Sequence, residues 1–182
     1  MSWHTSAIVI QGDHGGRGPA LLAEIGFPGK SEVGEVNGDE AGSGDLAGRA
    51  MAVVSGWTII WDPMMFVPED LSSLDGMMQD GIWAPAVERA LARLSQNSKV
   101  YSFLAEGASD TNGFAWYVHG ERKRVWLSQA GQVVLNAGAI LSDESEAQKE
   151  EPYDEQRLFV LMEKLTGLAM NTVVAATYKR FA

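Results

Sequence analysis

Alternating apolar and polar positions predict several β-strands, most of them joined as hairpins. Two β-rich segments, at 51–61 and 114–127, are each interrupted by a two-residue turn, Ser55-Gly56 in the first and His119-Gly120 in the second. Short turns of this kind, with glycine at the second position, join antiparallel strands. Further strands are predicted at 7–10, at 100–104 and at 133–135.

Apolar residues at helical spacing predict helices between these groups of strands. Proline suits the first turn of a helix, and Pro19 and Pro85 each precede such a pattern. The predicted helices cover 19–25, 85–97 and 158–165, with a short final helix near 172–178. Strands joined by hairpins, without strict β-α-β alternation, favour an α+β fold. We therefore expect residues 1–182 to form one α+β domain, with a single antiparallel or mixed β-sheet and helices packed on one face.

Two segments rich in acidic residues interrupt the regular pattern. Residues 31–48 are rich in Gly, Asp and Glu, which predicts a long exposed acidic loop. The segment near 142–152 is predicted to be an acidic linker, with the acidic start of a helix as the alternative. Residues 62–82 show little periodicity and are expected to form a loop.

Composition and charge narrow the classes of function. The chain has no cysteine, which excludes disulfides, thiolate zinc sites and cysteine nucleophiles. Its formal net charge of −10 disfavours binding to nucleic acid or to anionic membranes and would attract a basic protein. The apolar run at 7–10 is too short for a signal-peptide core, so a cytoplasmic location is expected.

The sequence contains fragments of known cofactor-binding and catalytic motifs, but their residues are not at the spacing that those motifs require. Gly29-Lys30-Ser31 imitates the end of a phosphate-binding loop, but Glu24 stands where that motif needs a glycine. The chain has three histidines, and none is spaced from another as a pair of metal ligands on one helix. We therefore expect no cofactor, no metal and no catalytic residues. The alternative is a carboxylate-dependent hydrolase or small-molecule-binding enzyme that uses Asp13 and His14.

Two groups of residues are candidates for binding another protein. The first group is acidic and follows the last predicted strand: Asp143, Glu144, Glu146, Glu150 and Glu151. The second combines aromatic and arginine side chains, which are common in binding hot spots: Tyr117, Arg122, Arg124 and Trp126. A two-residue turn at 119–120 would place this second group on one face of the hairpin. The same composition also suits a sheet face packed under a helix.

A resemblance adds weight to a binding role. The chain resembles certain uncharacterised small acidic bacterial families in four places. These are the sequence order at 56–63, the helix end at Leu94-Ser95, the hairpin at 112–126 and the tail at 153–167. The resemblance covers residues 50–175. Such proteins resemble immunity proteins encoded beside secreted toxins, which bind a toxin and mask it. The resemblance implies a non-enzymatic protein that binds another protein, and that partner could be a basic toxin.

Overall fold

The computed structural model describes residues 4–63, 66, 80–151 and 154–182. Nine strands of these residues form one sheet in the order β2-β9-β3-β4-β1-β5-β6-β7-β8, and every neighbouring pair is antiparallel. The strands are β1 (His4–Gln11), β2 (Glu32–Asn37), β3 (Arg49–Val54), β4 (Trp57–Trp61), β5 (Lys99–Glu106), β6 (Thr111–Val118), β7 (Glu121–Gln129), β8 (Gln132–Gly138) and β9 (Thr177–Phe181). The α+β class and the antiparallel sheet are confirmed.

Six α-helices lie within the described residues. They are α1 (Gly18–Glu24), α2 (Gly38–Ala41), α3 (Pro85–Leu94), α4 (Ser142–Glu150), α5 (Asp154–Thr166) and α6 (Met170–Val174). Pro19 and Pro85 stand in the first turns of α1 and α3, where a missing backbone N–H costs nothing. None of the helices in the described part of the chain combines the length and the apolar character that a membrane span requires.

Both predicted hairpins are present, and their turns show why. Ser55 and Gly56 both have positive φ, 48° and 80°, and His119 and Gly120 have 57° and 78°. Two consecutive residues with positive φ match the right-handed twist of the flanking strands, so such turns favour tight hairpins. A third tight turn, at Ala130-Gly131, joins β7 to β8.

Helices contribute to hydrophobic clusters on both faces of the sheet. Alternate residues of the central strand β1 belong to different clusters, Ala7 and Val9 to one and Ile8 and Ile10 to the other. Residues of α1 and α3 join the second cluster, whereas residues of α2, α4, α5 and α6 join the first. The expected packing on one face is therefore corrected. The cause is visible in β1, since a strand buried on both sides reads as a continuous apolar run.

Both acidic segments contain more regular structure than expected. The loop predicted at 31–48 includes edge strand β2 and helix α2; β2 was missed because Val36 is its one buried residue. The segment 142–150 is helix α4, which agrees with the alternative to a linker. The predicted final helix ends at Val174, and β9 follows it beside β2 and β3. Most of the loop expected at 62–82, and residue 152, lie outside the described residues.

Candidate protein-binding surface

Strand β8 forms one edge of the sheet and is unusually exposed for an apolar segment. Val133 and Val134 are 56% and 51% exposed, and Ile140, just beyond the strand, is 66% exposed. Residues 132–141 contain no charged residue and no proline. Natural edge strands commonly carry charges or prolines that discourage pairing with another chain. Within the part of the chain that the structure describes, β8 therefore presents a backbone edge without a strand partner, together with apolar side chains and a single-residue bulge at Val134.

A cavity of about 280 Å³ lies beside β8, between the sheet and the helices α4 and α5. Ser128 donates a hydrogen bond of 2.9 Å to the Asp154 carboxylate, which also pairs with Arg157 at 2.5 Å. The Arg157 guanidinium lies 4.8 Å from the centre of the Trp126 ring. The cavity is lined by Trp126, Ser128, Gly131, Val133, Glu144, Gln148, Asp154 and Arg157. It thus combines an aromatic wall with two carboxylates and opens next to the exposed strand.

A buried ion pair holds the acidic helix α4 against the sheet. Arg124 is 1% exposed, and its Nε and Nη2 donate hydrogen bonds of 2.8 and 2.7 Å to the two carboxylate oxygens of Glu144. Its Nη1 donates to the Asn136 side chain at 2.7 Å and to the Ala137 carbonyl at 3.0 Å, both on β8. One side chain therefore ties β7, β8 and α4 together. Burial, assisted by the nearby Glu144 charge, raises the pKa of Tyr101 well above its ordinary value.

The other predicted acidic residues lie on or just after α4. Glu146 and Glu150 are 62% and 57% exposed, and both approach Lys164 of α5, at 3.6 and 2.6 Å. The hydrogen bond to Glu150 raises the pKa of Lys164 above its ordinary value. Asp143 is in the first turn of α4, and Glu151 follows its last residue. The structure thus brings the acidic candidates together beside β8, with Glu144 committed to an internal contact.

The aromatic and arginine candidates do not share one face, because β7 contains a bulge. Tyr117 pairs with Arg122, but Trp116 pairs with Arg124, so Lys123 is an extra residue on β7. An extra residue reverses the alternation of all the residues that follow it. Trp126 therefore lies on the same face as Trp116, opposite to Tyr117. The expectation of a common face for Tyr117, Arg122, Arg124 and Trp126 was wrong.

Tyr117 and Arg122 take part in an internal network on the face that carries α3. The Tyr117 hydroxyl donates a hydrogen bond of 2.7 Å to Glu88, and Arg122 donates to the same carboxylate at 2.8 Å. Burial and the Glu88 charge raise the pKa of Tyr117 well above its ordinary value. These contacts position α3 on the sheet.

Asp13 and His14, the candidates for the enzymatic alternative, lie in the loop after β1. Asp13 lines another cavity, whereas the backbone N–H of His14 donates to the Thr58 hydroxyl at 2.9 Å. Among the described residues, no group of three or more His, Asp or Glu side chains is placed to hold a metal ion. These observations do not test a reactive role for the two side chains, so the enzymatic alternative stays a prediction.

The exposed edge and two cavity residues, Asp154 and Arg157, were not singled out by sequence reasoning. An available signal was the uncharged stretch 132–141, directly before an acidic helix. The position of Arg157 over Trp126 depends on the packing of α5 and leaves no comparable trace in the sequence.

No family model matches this chain, and no match is found among curated proteins or among solved structures.

Proposed function

We propose that this protein is a non-enzymatic binding protein that takes an extended, basic segment of another protein along β8. The observation that carries the proposal is the exposed, uncharged edge strand beside an acidic helix. An extended segment that adds to a sheet edge gains main-chain hydrogen bonds and places alternate side chains in neighbouring pockets. β8 offers such an edge, with a cavity on one side.

The charge around β8 favours a basic segment. In the cavity walls Glu144 and Asp154 are each paired with an arginine, Arg124 and Arg157. The negative charge left for a partner is on α4, where the exposed Glu146 and Glu150 share a single lysine, Lys164. A lysine or arginine of the incoming strand on the α4 side would meet these groups. Its neighbours along the strand would point to the other face of the sheet.

The same charges argue against a second copy of this chain as the occupant. Antiparallel pairing of β8 with its own copy requires a two-fold axis perpendicular to the sheet. That axis would place both copies of α4 on the same face, close to the junction. Residues 142–151 contain five acids and one lysine, so the two helices would repel each other.

Masking a basic toxin, as immunity proteins do, is one role that this surface would serve. A net charge of −10 attracts a basic partner over distance and accelerates association, most strongly at low ionic strength. The sequence resemblance to small acidic bacterial families supports the same role.

Selection of displayed random peptides on the immobilised protein tests the proposal. We expect enriched peptides to be extended, with apolar residues alternating with Lys or Arg. Val134→Lys should weaken their binding about tenfold or more, since it places a charge at the pairing edge. Val33→Lys is the matched control, because Val33 is 45% exposed and is the bulged residue of the opposite edge strand β2.

A second pair of variants tests the charge. The double variant Glu146→Gln/Glu150→Gln should lower the affinity and weaken its salt dependence. Asp39→Asn/Glu40→Gln removes two exposed acids from α2 and should leave the affinity and its salt dependence unchanged. Enrichment of acidic peptides, or equal binding by the Val134 and Val33 variants, would contradict the proposal.

A further inference from the structure

A second cavity lies at the other end of the sheet, far along the strand order from β8. Its volume of about 490 Å³ is larger than that of the cavity beside β8 and is within the range of small-molecule sites. Its floor is formed by β2, β9 and β3, where Glu35 pairs with Lys179 and Lys179 pairs with Met51. Directly paired residues point to the same face, so these side chains rise together into the cavity. Its wall is the loop of Asp13, Gly15 and Gly16.

The charges in this cavity favour a cation. Asp13 accepts one hydrogen bond, from the backbone N–H of Gly15 at 2.9 Å, and Glu35 has no hydrogen bond or ion pair within the described residues. The single lysine, Lys179, is paired with the Glu32 carboxylate at 3.0 Å, outside the cavity lining. Two carboxylates therefore face the cavity, while the charge of its one ammonium group is balanced by Glu32.

The floor is apolar where it is not charged. Met51, Ala52 and Val53 line it, and Val53 is 37% exposed, one of the few exposed large apolar side chains among the described residues. An inorganic cation would gain nothing from this apolar strip. A ligand that combines a positive group with an aliphatic chain would use both parts of the cavity.

From this geometry we propose that the cavity binds a small organic cation, an alkyl amine or alkyl guanidinium. The cationic group is placed between Asp13 and Glu35, and the alkyl chain lies on Met51 and Val53. The site is independent of partner binding at β8, because it shares no residue with that surface.

Gly16 offers a way to close the cavity without disturbing the fold. A Cβ atom added at Gly16 meets no atom within 4 Å, and its φ is not in the left-handed region. A leucine at this position should therefore fold normally and add bulk at the wall of the cavity, which Gly16 lines. At the neighbouring Gly15, in contrast, an added Cβ would lie 3.1 Å from the Val53 side chain.

Titration of the full chain with butylguanidinium, followed through backbone amide NMR shifts, tests the proposal. We expect saturable shifts at Gly15, Gly16, Val53 and Thr177. Gly16→Leu should weaken binding about tenfold or more, because it adds a bulky side chain at the wall of the cavity. Glu35→Gln should weaken it about threefold to fivefold, as expected for an exposed charge pair. Glu40→Gln, on α2 and outside the cavity, should bind as the unchanged protein does.

Butylurea and butyrate, as neutral and anionic probes of similar length, complete the experiment. Both should bind more weakly than butylguanidinium. Absence of saturable shifts with butylguanidinium, or equal binding of the neutral probe, would overturn the proposal. Unchanged binding by the Glu35→Gln variant would also overturn it, and this variant serves the test even where Gly16→Leu does not fold.

Discussion

Arg124 shows how a single residue sets the position of the acidic helix. Its guanidinium is 1% exposed, and the Glu144 carboxylate is its one charged partner in the described structure. Removing one member of a buried ion pair leaves the other charge uncompensated, which is far more costly than losing an exposed pair.

The substitution Glu144→Gln should therefore lower the free energy of unfolding by about 3 kcal/mol. The glutamine keeps the shape of the side chain but not its charge. Urea denaturation of the variant and of Asp143→Asn provides the comparison, since Asp143 precedes Glu144 on the same helix and has no ion pair in the described residues. Asp143→Asn should lower the free energy of unfolding by less than about 0.5 kcal/mol. Equal effects of the two substitutions would mean that the buried pair does not hold α4.

Tyr178 makes the stability of the fold depend on pH in a defined direction. Burial raises its pKa from 10.0 to about 12, and its hydroxyl donates a hydrogen bond of 3.0 Å to the Val173 carbonyl. The folded state thus keeps the phenol proton where the unfolded state releases it. The resulting stability is fully present below pH 10 and is lost as the pH rises to about 12.

Tyr178→Phe should lower the free energy of unfolding by about 1 kcal/mol near neutral pH, because it removes the hydrogen bond. This deficit should shrink as the pH rises from 10 to about 12, since the phenylalanine variant has no phenol to ionise at that position. Urea denaturation across this pH range measures the difference. A constant deficit would show that Tyr178 does not contribute to alkaline destabilisation.

At the scale of single elements, the bulge in β7 decides which side chains meet. Because Lys123 is the extra residue, its deletion leaves Tyr117 opposite Arg122 and Trp116 opposite Arg124. We therefore expect the deletion to keep Trp126 buried and to change the free energy of unfolding by less than about 2 kcal/mol.

Deletion of Val125 is the contrasting variant. It would either turn Trp126 and every later residue of β7 to the opposite face or, with the bulge lost, move Arg124 opposite Ala115 and away from Glu144. Either rearrangement should destabilise the fold far more than the Lys123 deletion does. Tryptophan fluorescence and urea denaturation separate the two outcomes. A Lys123 deletion as damaging as the Val125 deletion would contradict the assigned register.

Elements with local signals were predictable from the sequence, and those that depend on distant pairing were not. The hairpin turns at Ser55-Gly56 and His119-Gly120 need positive φ, which glycine favours, so they are visible in the sequence. The β7 bulge is set by pairing with β6 and has no local signal. Strand β9 was missed because residues 172–178 also fit a short helix, and its pairing with β2 spans nearly the whole chain.

At the scale of the whole molecule, the sheet is covered on both faces. Two adjacent isoleucines of β4 provide a direct test, because Ile59 and Ile60 are both fully buried but belong to different clusters. Ile59→Ala and Ile60→Ala should each lower the free energy of unfolding by about 2–5 kcal/mol. Urea denaturation measures both. A sheet with one solvated face would instead leave one of the substitutions nearly without effect.

The sequence predicted the acidic part of the candidate surface but not its edge strand. Acidic residues at 143–151 are evident from composition, whereas the exposure of Val133 and Val134 follows from the position of β8 at the end of the sheet order. A strand of the same composition in the centre of the sheet would be buried. Strand order depends on the whole chain, so local patterns do not determine it.

Hydrogen exchange of the β8 backbone amides, with and without a bound basic peptide from the selection, tests the binding proposal most directly. In the free protein, amides of β8 that face away from β7 have no strand partner within the described residues and should exchange rapidly. Strand addition should slow these amides and leave those of the opposite edge, β2, unchanged. Binding without added protection in β8 would show that the peptide does not extend the sheet.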